Sequence, residues 1–306
     1  MPTLAETENR ATLSRATCGW GWPPHLRLEQ ARAYLRDVHG PCIARRAGIY
    51  DYRHYWFDEV RADLFGTLPG IVTECDPNER LVWVSDVRYL DEAALAESVR
   101  SPDADIRALI LGDIDLVVHK STTYRSVGAN AHTYIDHTDR AAPQGPARSP
   151  TFGVYLRRRS DLEPFRRCAR EIARQWANTP GVRRLRLSLF DIPDMDAERK
   201  AGYPLKSHAV EQQYQAWIDL TIESEAVVAA LRKIMDGIDY REHLSTLHAY
   251  PVPSHYTPVY GGRPTLVGLR GYAAYEAIEA LNASNQRHPE LLTWLYGPVV
   301  RGGPLA

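Results

Sequence analysis

The 306-residue sequence lacks the signature motifs of several large enzyme classes. It contains no glycine-rich phosphate loop after a strand, no Gly-x-Ser-x-Gly elbow and no His-Glu-x-x-His motif. These absences argue against P-loop nucleotide chemistry, an α/β-hydrolase and a zinc protease of that type. The glycines at positions 262, 268 and 271 precede no strand–turn–helix unit, so a dinucleotide-binding fold is not predicted either.

Cysteine is scarce, with four residues far apart and no Cys-x-x-Cys pair. A zinc ribbon or a thioredoxin-like site is therefore not expected, and we predict reduced, mostly buried thiols. Two histidine pairs are spaced by five residues, His132 with His137 and His243 with His248. That spacing places neither pair on one helix turn or one strand face, so we predict no metal site.

The sequence also lacks a strong charge of one sign and a long apolar run. Its formal net charge is −1, which gives no basic field for nucleic acid or for an anionic membrane. No apolar run approaches the roughly 20 residues that cross a bilayer. The N-terminus has no charged-then-apolar secretory pattern. We expect a cytoplasmic protein that binds neither nucleic acid nor membrane.

The chain's most informative stretch is residues 28–55. Apolar residues recur at helical spacing over residues 28–38, which predicts an amphipathic helix. Gly40 and Pro41 follow, and both residue types favour the end of a helix. This places His39 at a predicted helix C-terminus, where the backbone dipole favours a protonated imidazole. A cluster of tyrosine, histidine and charged residues follows at 50–56.

A helix that ends in His-Gly-Pro (residues 39–41), a Tyr/His-rich stretch, and then Phe65-Gly66 and Pro69-Gly70 together resemble the EthD family. That family belongs to the ferredoxin-like, dimeric α/β-barrel group. The resemblance implies small-molecule metabolism, commonly without a cofactor. The wider barrel group also includes relatives that bind haem through one axial histidine.

The predicted elements run β-α-β-β-α-β, the ferredoxin-like order, and this order occurs twice. A Pro-Gly pair precedes the predicted second strand of each half, at Pro69-Gly70 and Pro180-Gly181. The predicted strands lie at 13–18, 68–74, 81–89 and 114–124 in the first half, and at 152–157, 185–189, 214–222 and 244–252 in the second. The predicted helices lie at 28–38 and 91–100, and then at 163–176 and 227–235.

We therefore predict an α+β fold with two ferredoxin-like units in one chain, their sheets packed as an α/β barrel. The first unit covers residues 13–137 and the second covers residues 151–260. A proline-containing linker joins them at 138–150, and a helical extension follows at 261–306. Because fusion of two units removes the need to dimerise for barrel closure, we expect a monomer or a homodimer.

The functional hypothesis is a cofactor-independent acid–base enzyme of the lyase or isomerase type. Its substrate would be a hydrophobic, oxygenated small molecule, aromatic or polyketide-like. The near-neutral pKa of histidine suits proton transfer, and a neighbouring tyrosine can hold a substrate oxygen. The His-Gly-Pro motif occurs once, so we predict the working pocket in the first unit. The predicted catalytic residues are His39, His119 and His248, and the predicted substrate-binding residues are Asp51, Tyr52, His54, Tyr124 and His208.

Two alternatives remain open from the sequence. One is a haem-dependent oxidoreductase on the same architecture, which a coloured cofactor in the purified protein would reveal. The other is a non-catalytic protein whose barrel binds a small ligand or scaffolds a partner. A pocket without converging titratable groups would favour that alternative.

Overall fold

A computed structural model describes residues 2–21, 23, 25–117, 119–191 and 212–297 of the chain. In chain order the first half contains α1 (Leu4–Glu8), β1 (Leu13–Trp20), α2 (Leu28–Tyr34), a π-helical turn (Leu35–His39), α3 (Gly40–Ala44), β2 (Ile49–Trp56), β3 (Leu81–Tyr89), α4 (Glu92–Arg100), α5 (Ala104–Leu111), α6 (Ile114–Val117), β4 (Lys120–Val127), β5 (Ala131–Asp136) and β6 (Gln144–Pro146). The second half contains β7 (Thr151–Arg158), α7 (Leu162–Ala177), β8 (Val182–Leu189), β9 (Ala216–Ile222), α8 (Val228–Asp236), β10 (Leu244–Pro251), β11 (Ser254–Tyr260), β12 (Arg263–Pro264), α9 (Leu266–Arg270), α10 (Tyr272–Ala280) and α11 (Pro289–Tyr296). Short 3-10 turns occupy Pro77–Glu79, Gly128–Asn130, Glu225–Val227 and Ser284–Arg287.

The strands form two antiparallel sheets. The first has the order β12-β11-β2-β3-β1-β4, with β6 beside β11, and the second has the order β10-β7-β9-β8-β5. Within each sheet, the four strands of one unit follow the same ferredoxin-like order: second, third, first, fourth. This topology confirms the predicted α+β class and the two-unit repeat. One face of each sheet meets the other sheet, and the opposite face carries helices.

The two units exchange edge strands. β5 follows the first unit, yet it pairs with β8 in the second sheet. β11 follows the second unit, yet it pairs with β2 in the first sheet. Part of the predicted linker is also ordered, because β6 pairs with β11. Each unit therefore extends the sheet of the other.

The second strand of the first unit differs from its prediction. The predicted strand at 68–74 is wrong, because that stretch makes only an isolated bridge from Val72 to Thr246. The second strand is β2, in which polar and aromatic residues occupy both faces, so its sequence shows no alternation of apolar and polar residues. Pro69-Gly70 is therefore not the counterpart of Pro180-Gly181. The glycines that precede the two second strands are Gly48 and Gly181, with φ of 76° and 88°, a backbone region that favours glycine.

The last strand of the first unit begins later than predicted. Ile114–Val117 is helical, and the strand starts at Lys120. The helices of the C-terminal extension form as predicted. They pack on the outer side of the first unit, where α9 contacts α3 and β11, and α10 contacts the π-helical turn. Within the described ranges, no helix is long and apolar enough to cross a membrane.

Candidate active site

The helix that carries His39 does not end at Gly40-Pro41, where the sequence predicted its end. α2, the π-helical turn and α3 follow one another without a break from Leu28 to Ala44. The Gly40 N–H donates to the Leu35 carbonyl, five residues back. Pro41 is interior to this continuous path and follows directly on the π-helical turn, where the hydrogen bonds already depart from the regular α-helical pattern. The expectation that Gly40-Pro41 ends the helix is wrong, and so is the helix-dipole argument for His39. A π-helical turn is itself a frequent feature of functional sites.

His39 is instead oriented by a carboxylate. Its Nδ1 lies 2.9 Å and 3.1 Å from the two carboxylate oxygens of Asp113. The Tyr34 hydroxyl donates to Asp113 Oδ2 at 2.8 Å. His39 is 6% exposed, and its Nε2 has no hydrogen-bond partner among the described residues. A carboxylate on Nδ1 fixes the tautomer that leaves Nε2 free to accept a proton.

Two buried polar atoms near His39 lack partners within the described structure. They are Nδ1 of His54 and Nε1 of Trp83, and the two rings lie 6.0 Å apart, centroid to centroid. His54 Nε2 forms a short hydrogen bond with the Tyr52 hydroxyl, which in turn is hydrogen-bonded to Ser85. If Ser85 donates to Tyr52 and Tyr52 donates to His54, Nδ1 of His54 carries the proton. Both orphaned atoms are then hydrogen-bond donors.

Burial and the neighbouring His39 lower the pKa of His54 to about 3. His54 is therefore neutral at pH 7 and presents a donor without a charge. Unsatisfied buried donors are costly, and a native protein keeps them for a reason. A ligand acceptor beside either ring would satisfy the donor of that ring.

The surroundings of these groups are largely apolar. The outer face of the first sheet packs there in a buried cluster of Leu35, Trp56, Val82, Trp83, Val117 and Tyr256. Trp83 lies close over β1 because position 19 is glycine, and a Cβ there would come within 2.2 Å of the indole nitrogen. We call the group formed by Tyr34, His39, His54, Trp83 and Asp113 the outer-face site. Sequence reasoning missed Tyr34 and Trp83, which carry no local motif.

His119 has no described hydrogen bond to the outer-face residues. It is exposed in the turn before β4, and its backbone N–H donates to the Gly21 carbonyl at 3.4 Å. Its placement on a strand is therefore wrong. None of its described hydrogen bonds reaches His39.

His248 lies on β10, between the two sheets. Its Nδ1 is 2.6 Å from the Tyr214 hydroxyl and its Nε2 is 3.0 Å from the Glu74 carbonyl. Burial and the nearby Arg157 lower the pKa of His248 to about 4. The predicted tyrosine partner is present, but both ring nitrogens are already engaged.

The remaining predicted residues do not share one site. Tyr52 and His54 lie on the outer face of β2. Asp51 points the other way, between the sheets, where it accepts hydrogen bonds from Arg53 and Arg88. Tyr124 also lies between the sheets and stacks on Phe190, with 4.4 Å between ring centroids. His208 lies outside the described residues.

A cavity opens at one edge of the space between the sheets. It encloses about 870 Å³ of empty space, including its open mouth. Five arginines and two aspartates line it, and they are Arg53, Arg140, Arg148, Arg183, Arg184, Asp139 and Asp219. His255 also lines it. The sequence analysis did not identify this cavity, because its walls come from both units and from the predicted linker.

No metal centre accompanies either region in the part of the chain described. No group of three or more histidine, cysteine, aspartate or glutamate side chains is placed there to hold a metal ion.

Comparisons with known proteins give only a general likeness of fold. No family model matches the chain, and no curated protein matches it. The structure of a putative monooxygenase from Fusobacterium nucleatum is similar to this one. The match covers 83% of this chain and 97% of the monooxygenase chain, with a TM-score of 0.47 and 10% sequence identity. An anthrone oxidase-like protein is similar over 84% of this chain and 95% of its own, with a TM-score of 0.48 and 10% identity. A putative chlorite dismutase matches 79% of this chain and 95% of its own, at a TM-score of 0.40 and 8% identity. At these values we argue nothing about activity from the likeness.

Proposed function

We propose that this protein is a cofactor-independent acid–base enzyme of the lyase or isomerase type. Its substrate is a hydrophobic, oxygenated small molecule, aromatic or polyketide-like, bound at the outer-face site. The observation that carries the proposal is that one region holds both a possible base and possible donors. His39 is oriented by Asp113 and has a free Nε2, and His54 Nδ1 and Trp83 Nε1 are buried without a described partner. The EthD-like order of residues 39–41 and the Tyr/His-rich strand supports the same proposal.

In this mechanism, His39 Nε2 removes a proton from a carbon next to a substrate carbonyl, and the electron pair of the broken C–H bond moves onto the carbonyl oxygen. Asp113 holds the Nδ1 proton and stabilises the imidazolium that forms. Tyr34 fixes the other side of the Asp113 carboxylate. The proton then returns to another substrate atom in an isomerisation, or assists a leaving group in an elimination.

Negative charge develops on the substrate oxygen during proton removal. We assign the role of oxyanion donor to the His54 Nδ1–H and the Trp83 indole N–H, the two buried donors near the sheet surface that have no described partner. Both lie in a dry, aromatic environment, where such hydrogen bonds are stronger than in water. The apolar cluster around them would bind the rest of an aromatic substrate.

The proposal is tested by proton exchange. Bicyclic and tricyclic aromatic ketones and phenols are screened for binding by thermal shift, and binders are then incubated in D₂O. The wild-type chain should exchange an acidic C–H for deuterium, as observed by NMR of the small molecule. His39→Ala should slow exchange by roughly 10²- to 10⁴-fold, because the general base is lost.

His132→Ala is the matched control, because His132 is an exposed histidine on β5 in the second sheet. It should leave the exchange rate unchanged. Exchange that survives His39→Ala at the wild-type rate would contradict the proposal. Binding without any exchange, in every binder found, would favour the ligand-binding alternative.

A haem-dependent oxidoreductase is the second candidate, and the same histidine favours it. A histidine with a carboxylate on Nδ1 and a free Nε2 could hold a haem group, since the carboxylate raises the basicity of the ligating nitrogen. Haem would supply redox chemistry, and His39 would hold it. An ultraviolet–visible spectrum of freshly purified protein separates the two candidates. A strong violet band that His39→Ala removes supports haem, and a colourless protein supports the acid–base enzyme.

A further inference from the structure

A second small-molecule site lies between the two sheets, on the opposite side of the first sheet from the outer-face site. The cavity there is walled by β2, β6 and β11 on one side and by β7, β8 and β9 on the other.

The inner arginines of this cavity are already neutralised. Arg184 Nε and the Tyr55 hydroxyl each donate to Asp219 Oδ2, both at 3.0 Å. Arg53 donates to Asp51 at 3.1 Å and to Glu8 at 2.6 Å. Both arginines of the deep wall are therefore paired with carboxylates, which leaves no free cation there for a ligand.

The arginines at the mouth have no such partners. Arg140, Arg148 and Arg183 form no ion pair with any described residue, and Asp139 is the one acidic side chain lining the mouth. Three unpaired cations against one anion leave the mouth electropositive. A cleft lined by one sign of charge attracts the opposite charge, and the guanidinium fork matches a planar acidic group.

The cavity also offers a neutral hydrogen-bonding group. His255 packs edge-on against Tyr55, with ring centroids 6.1 Å apart, and neither of its ring nitrogens has a hydrogen-bond partner among the described residues. Burial, opposed by Asp219 and assisted by Arg53, lowers the pKa of His255 to about 4. Neutral imidazole can donate to one ligand oxygen and accept from a hydroxyl.

We infer that this cavity binds a small, multiply hydroxylated organic anion. The acidic group faces the three mouth arginines, and a hydroxyl group reaches His255. Most lining residues carry a charged, hydroxyl or amide group that can bond to such a ligand, and carbon atoms, which form the larger part of the lining surface, can contact its carbon skeleton. This inference is independent of the proposed function, which uses the other face of the first sheet.

Isothermal titration of the full chain tests the inference with four probes. Gluconate carries a carboxylate and hydroxyls, sorbitol has the hydroxyls alone, benzoate has the carboxylate on an apolar ring, and inorganic phosphate is the bare anion. Gluconate should bind at least tenfold more tightly than each of the others. Sorbitol or benzoate binding as tightly as gluconate would overturn the ligand class. If phosphate bound as tightly as gluconate, the mouth would attract anions in general and the inferred ligand class would be wrong. The absence of any gluconate binding would also contradict the inference.

Variants place the binding in the cavity. The double variant Arg148→Gln with Arg183→Gln should weaken gluconate binding at least tenfold, because two charge-assisted contacts are lost. Two exposed arginines elsewhere, Arg167 on α7 and Arg263, replaced together by glutamine, make a charge-matched control that should bind within twofold of wild type. Equal losses in both double variants would overturn the cavity assignment. His39→Ala should bind gluconate normally, which separates this result from the fate of the proposed enzyme.

Discussion

The two units use the same topology for opposite purposes on their helix-covered faces. In the second unit, α7 is a regular helix of 16 residues that joins the first strand to the second. Its buried side chains are almost all apolar, and they pack on leucines of β8. In the first unit, the corresponding connection contains a π-helical turn between two short α-helices. His39 belongs to this turn, and His54 and Trp83 lie in the sheet beneath it, each with a buried nitrogen that no described partner satisfies.

This difference shows where a duplicated fold can place chemistry. An apolar helix–sheet interface stabilises the fold in proportion to the surface it buries. Replacing that surface with histidine, tryptophan and a carboxylate sacrifices stability, and native proteins retain such sites for function. The second unit therefore supplies the stable core, and the first supplies the outer-face site. Four predictions test this division.

The largest effect should come from truncating the core of the second unit. Trp176 is fully buried, stacks on Phe65 at 5.2 Å between ring centroids, and donates to the Leu231 carbonyl at 3.2 Å. Trp176→Ala should lower the free energy of unfolding by about 3–5 kcal/mol, measured by urea denaturation. Its rate of proton exchange on a bound substrate, measured where the variant is folded, should stay within twofold of wild type. His39→Ala should show the reverse, with a stability loss on the order of 1 kcal/mol. A similar loss of stability in both variants would contradict the assignment of the stable core to the second unit.

Asp113→Asn should impair exchange while preserving the fold. An amide keeps the shape of the carboxylate but neither fixes the tautomer of His39 nor stabilises its imidazolium. We expect the exchange rate to fall roughly 10- to 1,000-fold. The matched control is Asp219→Asn, which alters a buried aspartate between the sheets and should not affect exchange on the outer face. A rate in Asp113→Asn equal to wild type would show that Asp113 is only structural.

The pH dependence of stability should carry a contribution from His54. Its pKa is lowered to about 3 in the folded protein by burial and by His39, from an ordinary value of 6.5. Unfolding therefore takes up a proton between these values, so the free energy of unfolding falls as the pH drops from about 6.5 towards 3. His54→Phe should reduce this slope by at most about 1.4 kcal/mol per pH unit.

His248→Phe provides the comparison for that slope. The pKa of His248 is also lowered, to about 4, mainly by burial, so removing this histidine should likewise make the free energy of unfolding less dependent on pH. Only His54→Phe should weaken binding of an aromatic substrate, because His248 has both nitrogens engaged within the protein. Equal binding losses in the two variants would argue against a special role for His54.

The smallest effect should come from Tyr34→Phe. The Tyr34 hydroxyl donates to Asp113, and burial together with this bond raises the pKa of Tyr34 to about 12. Its loss frees one carboxylate oxygen but leaves the Nδ1 contact of His39. We expect a decrease in exchange rate of about 2- to 10-fold at pH 7. A loss as large as that of His39→Ala would instead make Tyr34 a proton donor.

Much of the fold could be predicted from the sequence, because the second unit obeys simple periodicity. The apolar stripe of α7 packs on the apolar side of β8 and β9, and the opposite side of these two strands carries charged and hydroxyl side chains, so the sequence alternates although both sides are buried. β2 was not predicted because polar and aromatic residues occupy both of its faces, so its sequence shows no alternation of apolar with polar residues. The exchange of β5 and β11 between the two sheets could not be predicted, because pairing between segments distant in sequence leaves no local pattern.

The candidate site was only partly predictable for similar reasons. His39, Tyr52 and His54 stood out by residue type and by their neighbours in sequence. Asp51 and His54 lie three residues apart, yet they face opposite sides of one strand, which only the assignment of β2 as a strand could show. Trp83 is remote in sequence and reaches His54 by strand pairing.

The measurement that tests the central claim most directly is an NMR titration of the indole N–H signals. An aromatic ketone or phenol that binds the protein is added to ¹⁵N-labelled chain, and Trp83→Phe assigns the signal of Trp83. Trp217 serves as the internal control, since its Nε1 also lacks a described partner but lies between the sheets. We predict a downfield shift of the Trp83 N–H on saturation and none for Trp217. A saturating ligand that leaves Trp83 unmoved would contradict the account, because the first unit's outer face would then not be where the substrate binds.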